Sequence, residues 1–162
     1  MNWKLALNGA FAGAALLMAA CGSSAQSTAN GSPSMPASSS PAGKTTIAVA
    51  SNPKLGQILV DGAGKTLYLF VADSGSSSTC YTSCAQLWPP VLTSGPAQAG
   101  TGAAASLLGT TTRTDGKTEV TYGGHPLYYF VSDKQAGDAT GQGVDSFGAL
   151  WWVVSASGAA VH

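Results

Sequence analysis

The chain has 162 residues, enough for one ordinary domain, with 7 Lys+Arg against 7 Asp+Glu and a formal net charge of +0. Only 9% of it is charged, far below the roughly 25% of an average soluble domain, so a basic face for nucleic acid is excluded. Its 21 glycines and 8 prolines suit turns and short strands better than a helical enzyme.

At the N-terminus Lys4 precedes an apolar run from Leu5 to Ala20, broken by Asn8 and two glycines. The run is too short and too interrupted to span a ~30 Å hydrocarbon core comfortably, and it reads as a signal peptide over residues 1–20. It ends Leu17-Met18-Ala19-Ala20-Cys21-Gly22, which resembles the bacterial lipobox. That resemblance implies that Cys21 is acylated, becomes the mature N-terminus and anchors the chain to a lipid bilayer. Met18 replaces the usual Leu, Val or Ile, and plain cleavage with Cys21 as a bystander is the other reading. Cleavage removes one cation, Lys4, and no acid, leaving six against seven. Residues 21–44 then form a Ser/Pro/Ala/Gly tether with no aromatic residue, expected to be disordered. As a flexible coil, the 23 residues from Gly22 to Lys44 reach roughly 25–30 Å.

From Thr45 to His162 the texture is β. The runs TTIAVA, QILVD and TLYLFVA are separated by turn residues, with Asp61–Lys65 as a hairpin loop. Leu67–Ala72 is apolar on both faces, which predicts a strand buried on both. Cys84–Trp88 can make one helical turn, stopped by Pro89-Pro90. Residues 94–106 read as a low-complexity surface loop. LLGTTTR and KTEVTY form a second hairpin around Thr114-Asp115-Gly116. PLYYFVSD, a Gly/Asp-rich loop from Lys134 to Gly148 and ALWWVVSA complete the domain.

Two segments repeat, 60 residues apart: Gly64–Asp73 and Gly124–Asp133 share Gly, Leu, Tyr, Phe, Val and Asp at the same offsets. Each is followed by a polar loop and then by tryptophan, Trp88 in the first half and Trp151-Trp152 in the second. Two copies predict a compact, mainly β domain of two pseudo-twofold units, about residues 52–92 and 112–158, sandwich or barrel-like, with one short helical turn. The chain resembles the bacterial secreted-repeat lipoproteins, defined by a Tyr-x-(Phe/Trp/Tyr)-x-x-Asp motif. Here the motif is carried by Tyr68, Phe70 and Asp73, and again by Tyr128, Phe130 and Asp133. The similarity extends over about residues 52–158, through Cys80, Cys84, Trp88-Pro89-Pro90 and Gly141-Gln142-Gly143. It implies an exported envelope protein and no particular activity.

With Cys21 lipidated, Cys80 and Cys84 form an even pair in an oxidising compartment, where a disulfide is expected. A redox pair, or a soft metal site with His125, is the alternative, and copper or haem would be its cofactor. Otherwise no cofactor is expected. His125 also fits a turn histidine bonded to a backbone carbonyl. The motif tyrosines and phenylalanines read as core aromatics, with a stacking platform as the alternative. Asp73 and Asp133 read as turn-capping acids, with a symmetry-related carboxylate pair left open. Asp133, Asp138 and Asp145 lack the spacing of a calcium loop. Gly62–Thr66 lacks the first glycine and the helix of a phosphate loop. Nucleophile and zinc-hydrolase signatures are missing, so hydrolysis of the familiar types is not indicated. The sequence thus points to a membrane-anchored binding or structural domain facing an unidentified envelope partner or ligand, with redox or metal handling as the competing function. In an envelope with two membranes, Gly22-Ser23 after the cysteine lacks the Asp that commonly retains lipoproteins inside, and the resemblance to lipoproteins then implies outer-membrane sorting.

Overall fold

A computed structural model describes residues 43–162. The signal segment, Cys21 and the tether up to residue 42 lie outside the described residues. Among the described residues nine short strands form three three-stranded sheets, with one helical turn and one 3-10 turn. Among these residues no helix is long and apolar enough to cross a membrane.

Each repeat opens with a hairpin. β1 (Thr46–Asn52) pairs antiparallel with β2 (Gly56–Asp61). Asn52 Oδ1 accepts the Lys54 and Leu55 amides, and Gly56 takes a φ of 74° that other residues adopt reluctantly. The second hairpin joins β5 (Leu108–Thr112) to β6 (Thr118–Tyr122); inside its turn Asp115 Oδ1 accepts the Lys117 amide and Gly116 takes a φ of 79°.

The motif strand of the first repeat is β3 (Tyr68–Phe70), all of it buried and paired with β9 (Ala149–Val153). This is shorter than the apolar run predicts. The chain turns directly after Phe70, where the Asp73 amide bonds the Phe70 carbonyl, and Val71 is left 54% exposed. Residues 94–106 also differ from a free surface loop. Gln98–Ala99 forms β4, parallel to β1, and Ala105–Leu107 is a 3-10 turn. Small residues let this segment lie against β1: a Cβ at Gly102 would stand 2.9 Å from Val49 Cβ. The Lys134–Gly148 loop contains β8 (Val144–Ser146), which joins β9 in a hairpin. The helical turn, α1 (Ser83–Leu87), sits just before Pro89-Pro90. The remaining strand, β7 (His125–Pro126), edges the sheet of β5 and β6.

The repeats close by exchanging strands. In one ring of hydrogen bonds Leu59 donates to Val154, Val154 to Leu67, and Leu67 to Leu59. In the other, Val120 donates to Val91, Val91 to Leu127, and Leu127 to Val120. The third strand of each ring comes from the other repeat: Val154 belongs to the second and closes the first, while Val91 does the converse. Where the rings meet, Tyr68 and Tyr128 exchange backbone hydrogen bonds of 2.9 Å in both directions, which marks the pseudo-twofold axis. Neither half can satisfy its own backbone alone.

Candidate functional site

The core on this axis is a column of four rings. Phe70 stacks on Trp151 at 4.1 Å, Trp151 on Trp88 at 4.0 Å, and Trp88 on Phe130 at 4.2 Å. The two indoles lie 2° from parallel, one from each repeat. Tyr68 meets the Trp88 ring edge-on at 5.3 Å, and Tyr128 meets Trp151 at 5.1 Å. Such pairs contribute about 0.5–1.5 kcal/mol each beyond the area they bury.

The motif aspartates complete the arrangement across the repeats. The Tyr68 hydroxyl donates to Asp133 Oδ2 at 2.6 Å, and the Tyr128 hydroxyl donates to Asp73 Oδ2 at 2.7 Å. The second oxygen of each carboxylate is used locally. Asp73 Oδ1 accepts the Thr79 amide and hydroxyl, and Asp133 Oδ1 accepts those of Thr140. The six motif residues are therefore one interlock, and the two carboxylates face opposite tyrosines rather than each other. Burial first, then the neighbouring carboxylates, push both phenols far above the ordinary range, so they remain protonated donors.

The second repeat adds a buried polar chain that the first lacks. Arg113 donates from Nη1 to Glu119 Oε2 at 2.7 Å and to Ser78 Oγ at 2.8 Å, and from Nη2 to the Cys80 carbonyl at 2.6 Å. Ser78 lies 2.6 Å from the Tyr128 hydroxyl. Because Tyr128 gives its proton to Asp73, Ser78 is the donor in that contact. Burial raises the Glu119 carboxyl to about 7, outweighing the pull of Arg113, and burial also raises Asp73. Arg113 Nε and Glu119 Oε1 have no hydrogen-bond partner among the described residues. The hairpin register makes Ile58 the first-repeat counterpart of Glu119, and Asn52 that of Arg113. The sequence offered a sign of Thr79 and Thr140, a threonine six or seven residues after each motif aspartate. It offered none for the Arg113–Glu119 pair, which breaks the repeat.

Cys80 and Cys84 are bonded to each other, with Cα atoms 5.2 Å apart, in the same buried cluster as the column. His125 lies on β7, half-buried and paired in register with Tyr122. Among the described residues no three His, Cys, Asp or Glu side chains gather as a metal-holding group. Asp138 is occupied in capping the Lys134 and Gln135 amides. The large concavity is an open groove of about 940 Å³ along the outer edge of the second repeat. Pro89, Pro90, Tyr129, Phe130 and Val131 give it apolar walls, and Asp61, Lys65, Arg113, Asp115, Lys117 and Asp133 give it mixed charge. Tyr129 is held there by its hydroxyl, which donates to Asp61 Oδ2 at 3.1 Å.

No curated protein and no solved structure matches the chain. A family model described as a secreted repeat of unknown function matches twice, over residues 49–92 and 109–155. Those spans contain both halves of the Tyr–Asp interlock and both tryptophans of the column, and the chain belongs to this family of secreted repeats.

Proposed function

We propose that the protein is an exported, membrane-anchored lipoprotein whose folded part is a non-catalytic binding domain of the cell envelope. Export agrees with the family's description. The anchor rests on Cys21 at the end of the apolar leader, and the tether gives the domain reach from the bilayer. The observation that carries the binding reading is the interlock. The motif side chains satisfy one another in the core, so they act as scaffold, and the groove beside Pro89, Pro90 and Tyr129 is left as the surface shaped to hold a ligand. The competing reading, copper, haem or redox handling by Cys80, Cys84 and His125, has its two sulfurs joined and its histidine on β7 of the second repeat.

Two measurements on protein extracted from membranes test this proposal. Mass spectrometry is expected to find an acylated Cys21 and no residues 1–20; a mature product beginning at Met1 would refute the anchor. A thiol count under non-reducing conditions, with metal analysis and a visible spectrum, is expected to give zero free thiols and no bound metal or haem. Stoichiometric copper or haem would establish the competing function.

A further inference from the structure

The two repeats treat the outer edge of their exchanged strands differently. Val153 opposes Tyr68 in a pair whose ladder hydrogen bonds are made by the flanking residues, so the polar groups of Val153 point outward. The Val153 amide donates to Gln142 Oε1 at 2.9 Å, and its carbonyl meets the chain's own residues 159–161. The Val161 amide donates to the Val153 carbonyl at 2.9 Å, and the Ser155 amide donates to the Ala159 carbonyl at 2.8 Å, with Ala160 opposite Val154. The first repeat thus has a short extended segment laid antiparallel along its edge, and Val161 packs against the cluster that contains Ile58 and Val153.

The second repeat carries the same edge without that segment, and among the described residues only Thr45 reaches it, its hydroxyl donating to the Leu92 carbonyl at 2.8 Å. Pro90 opposes Tyr128 and Leu92 opposes Glu119, again with the ladder bonds made by their neighbours, so the Pro90 carbonyl and the Leu92 amide point outward. Among the described residues neither group has a hydrogen-bond partner, and both residues line the groove. The residues that follow Leu92 leave to form β4 and do not fold back as 159–161 do. The groove floor differs as well. Arg113 replaces Asn52 and Glu119 replaces Ile58, and the Arg113 side chain, 1% exposed, has an Nε without a hydrogen bond, its nearest carboxylate oxygen being Asp115 Oδ1 at 3.7 Å. Asp115 is too distant to accept a hydrogen bond from that donor, and a ligand acceptor would supply the missing bond.

We propose that the Pro90–Leu92 edge receives an extended peptide segment of a partner protein, paired antiparallel opposite Val91, with a side chain that accepts a hydrogen bond over Arg113. The pairing supplies affinity through the backbone, and the floor supplies selectivity. A carboxamide suits the floor better than valine, because it accepts from Arg113 without adding a further acid beside Glu119 and Asp115. This deepens the binding reading above and rests on it.

The test uses the full chain and the acetylated peptide Ser-Gly-Ala-Ala-Asn-His, which copies residues 157–162 with asparagine in place of Val161. Amide hydrogen exchange followed by NMR is read at Leu92 and Ser155. In the free protein Leu92 is expected to exchange freely while Ser155 is protected. Saturating peptide is expected to slow Leu92 by about tenfold or more, and N-methylation of the peptide asparagine, which removes the donor to Pro90, should abolish the effect. Unchanged Leu92 exchange at about 1 mM peptide would overturn the proposal while leaving the thiol, metal and lipid results of the broader reading intact. Leu92 protection in the free chain would overturn it too, and would assign the edge to residues preceding Gly43, which itself lines the groove.

Discussion

At the scale of single residues, the fold depends on positions where the repeats touch. Gly141 is the counterpart of Cys80, and its amide donates to the Tyr68 hydroxyl oxygen at 3.3 Å. A Cβ there would stand 2.7 Å from Trp88 Cη2 and 2.9 Å from Tyr68 Cε1, both held rigidly in the column. Gly141→Ala is therefore expected to cost about 1–3 kcal/mol, read as a lower midpoint in urea at unchanged slope. Glu119 gives a pH signature. Its carboxyl ionises at about 7 in the folded chain against 4.5 as the ordinary value, so the native state holds the proton more tightly. The stability this contributes is fully present below pH 4.5 and is lost as pH rises to 7, by at most about 3 kcal/mol, and Asp73 acts in the same direction. Glu119→Gln is expected to flatten that slope in urea titrations across the window. An unchanged slope would mean that Arg113 holds Glu119 ionised throughout.

At the scale of elements, the repeats diverge most between the motif aspartate and the tryptophan. The first repeat places α1 and the Cys80–Cys84 bond there, and the second places the β8–β9 hairpin. The bond closes a short loop, so changing both cysteines to alanine is expected to lower stability by about 1–3 kcal/mol and leave the fold recognisable by circular dichroism. The second hairpin, the helical turn and the duplication were legible in the sequence, because turn glycines, paired prolines and period-2 apolar runs are local signals. The first hairpin turns after Asn52 instead, and Asp61–Lys65 joins β2 to Thr66 by a single bridge, because β3 pairs with β9. The burial of Val71 was misjudged, since the turn that exposes it is imposed by the pull of Asp73 toward the other repeat. The strand at Gln98–Ala99 was missed because its pairing is made by the backbone of small residues, which leave no pattern. The groove was equally invisible: Pro89 and Pro90 read as a helix stop, and only the exchanged strand shows that they also form an open edge.

At the scale of the whole molecule, the account is that each repeat is completed by the other, through the exchanged strands, the stacked tryptophans and the crossed Tyr–Asp bonds. The motif then has a physical meaning: its tyrosine and aspartate are conspicuous together in the sequence, yet they are partners across the twofold axis and not within a copy. Double-mutant cycles with Tyr→Phe and Asp→Asn changes test this most directly. Tyr68 with Asp133, and Tyr128 with Asp73, are expected to couple by about 0.5–3 kcal/mol, while Tyr68 with Asp73 should be additive within about 0.5 kcal/mol. Coupling within one repeat, with additivity across the two, would contradict the account.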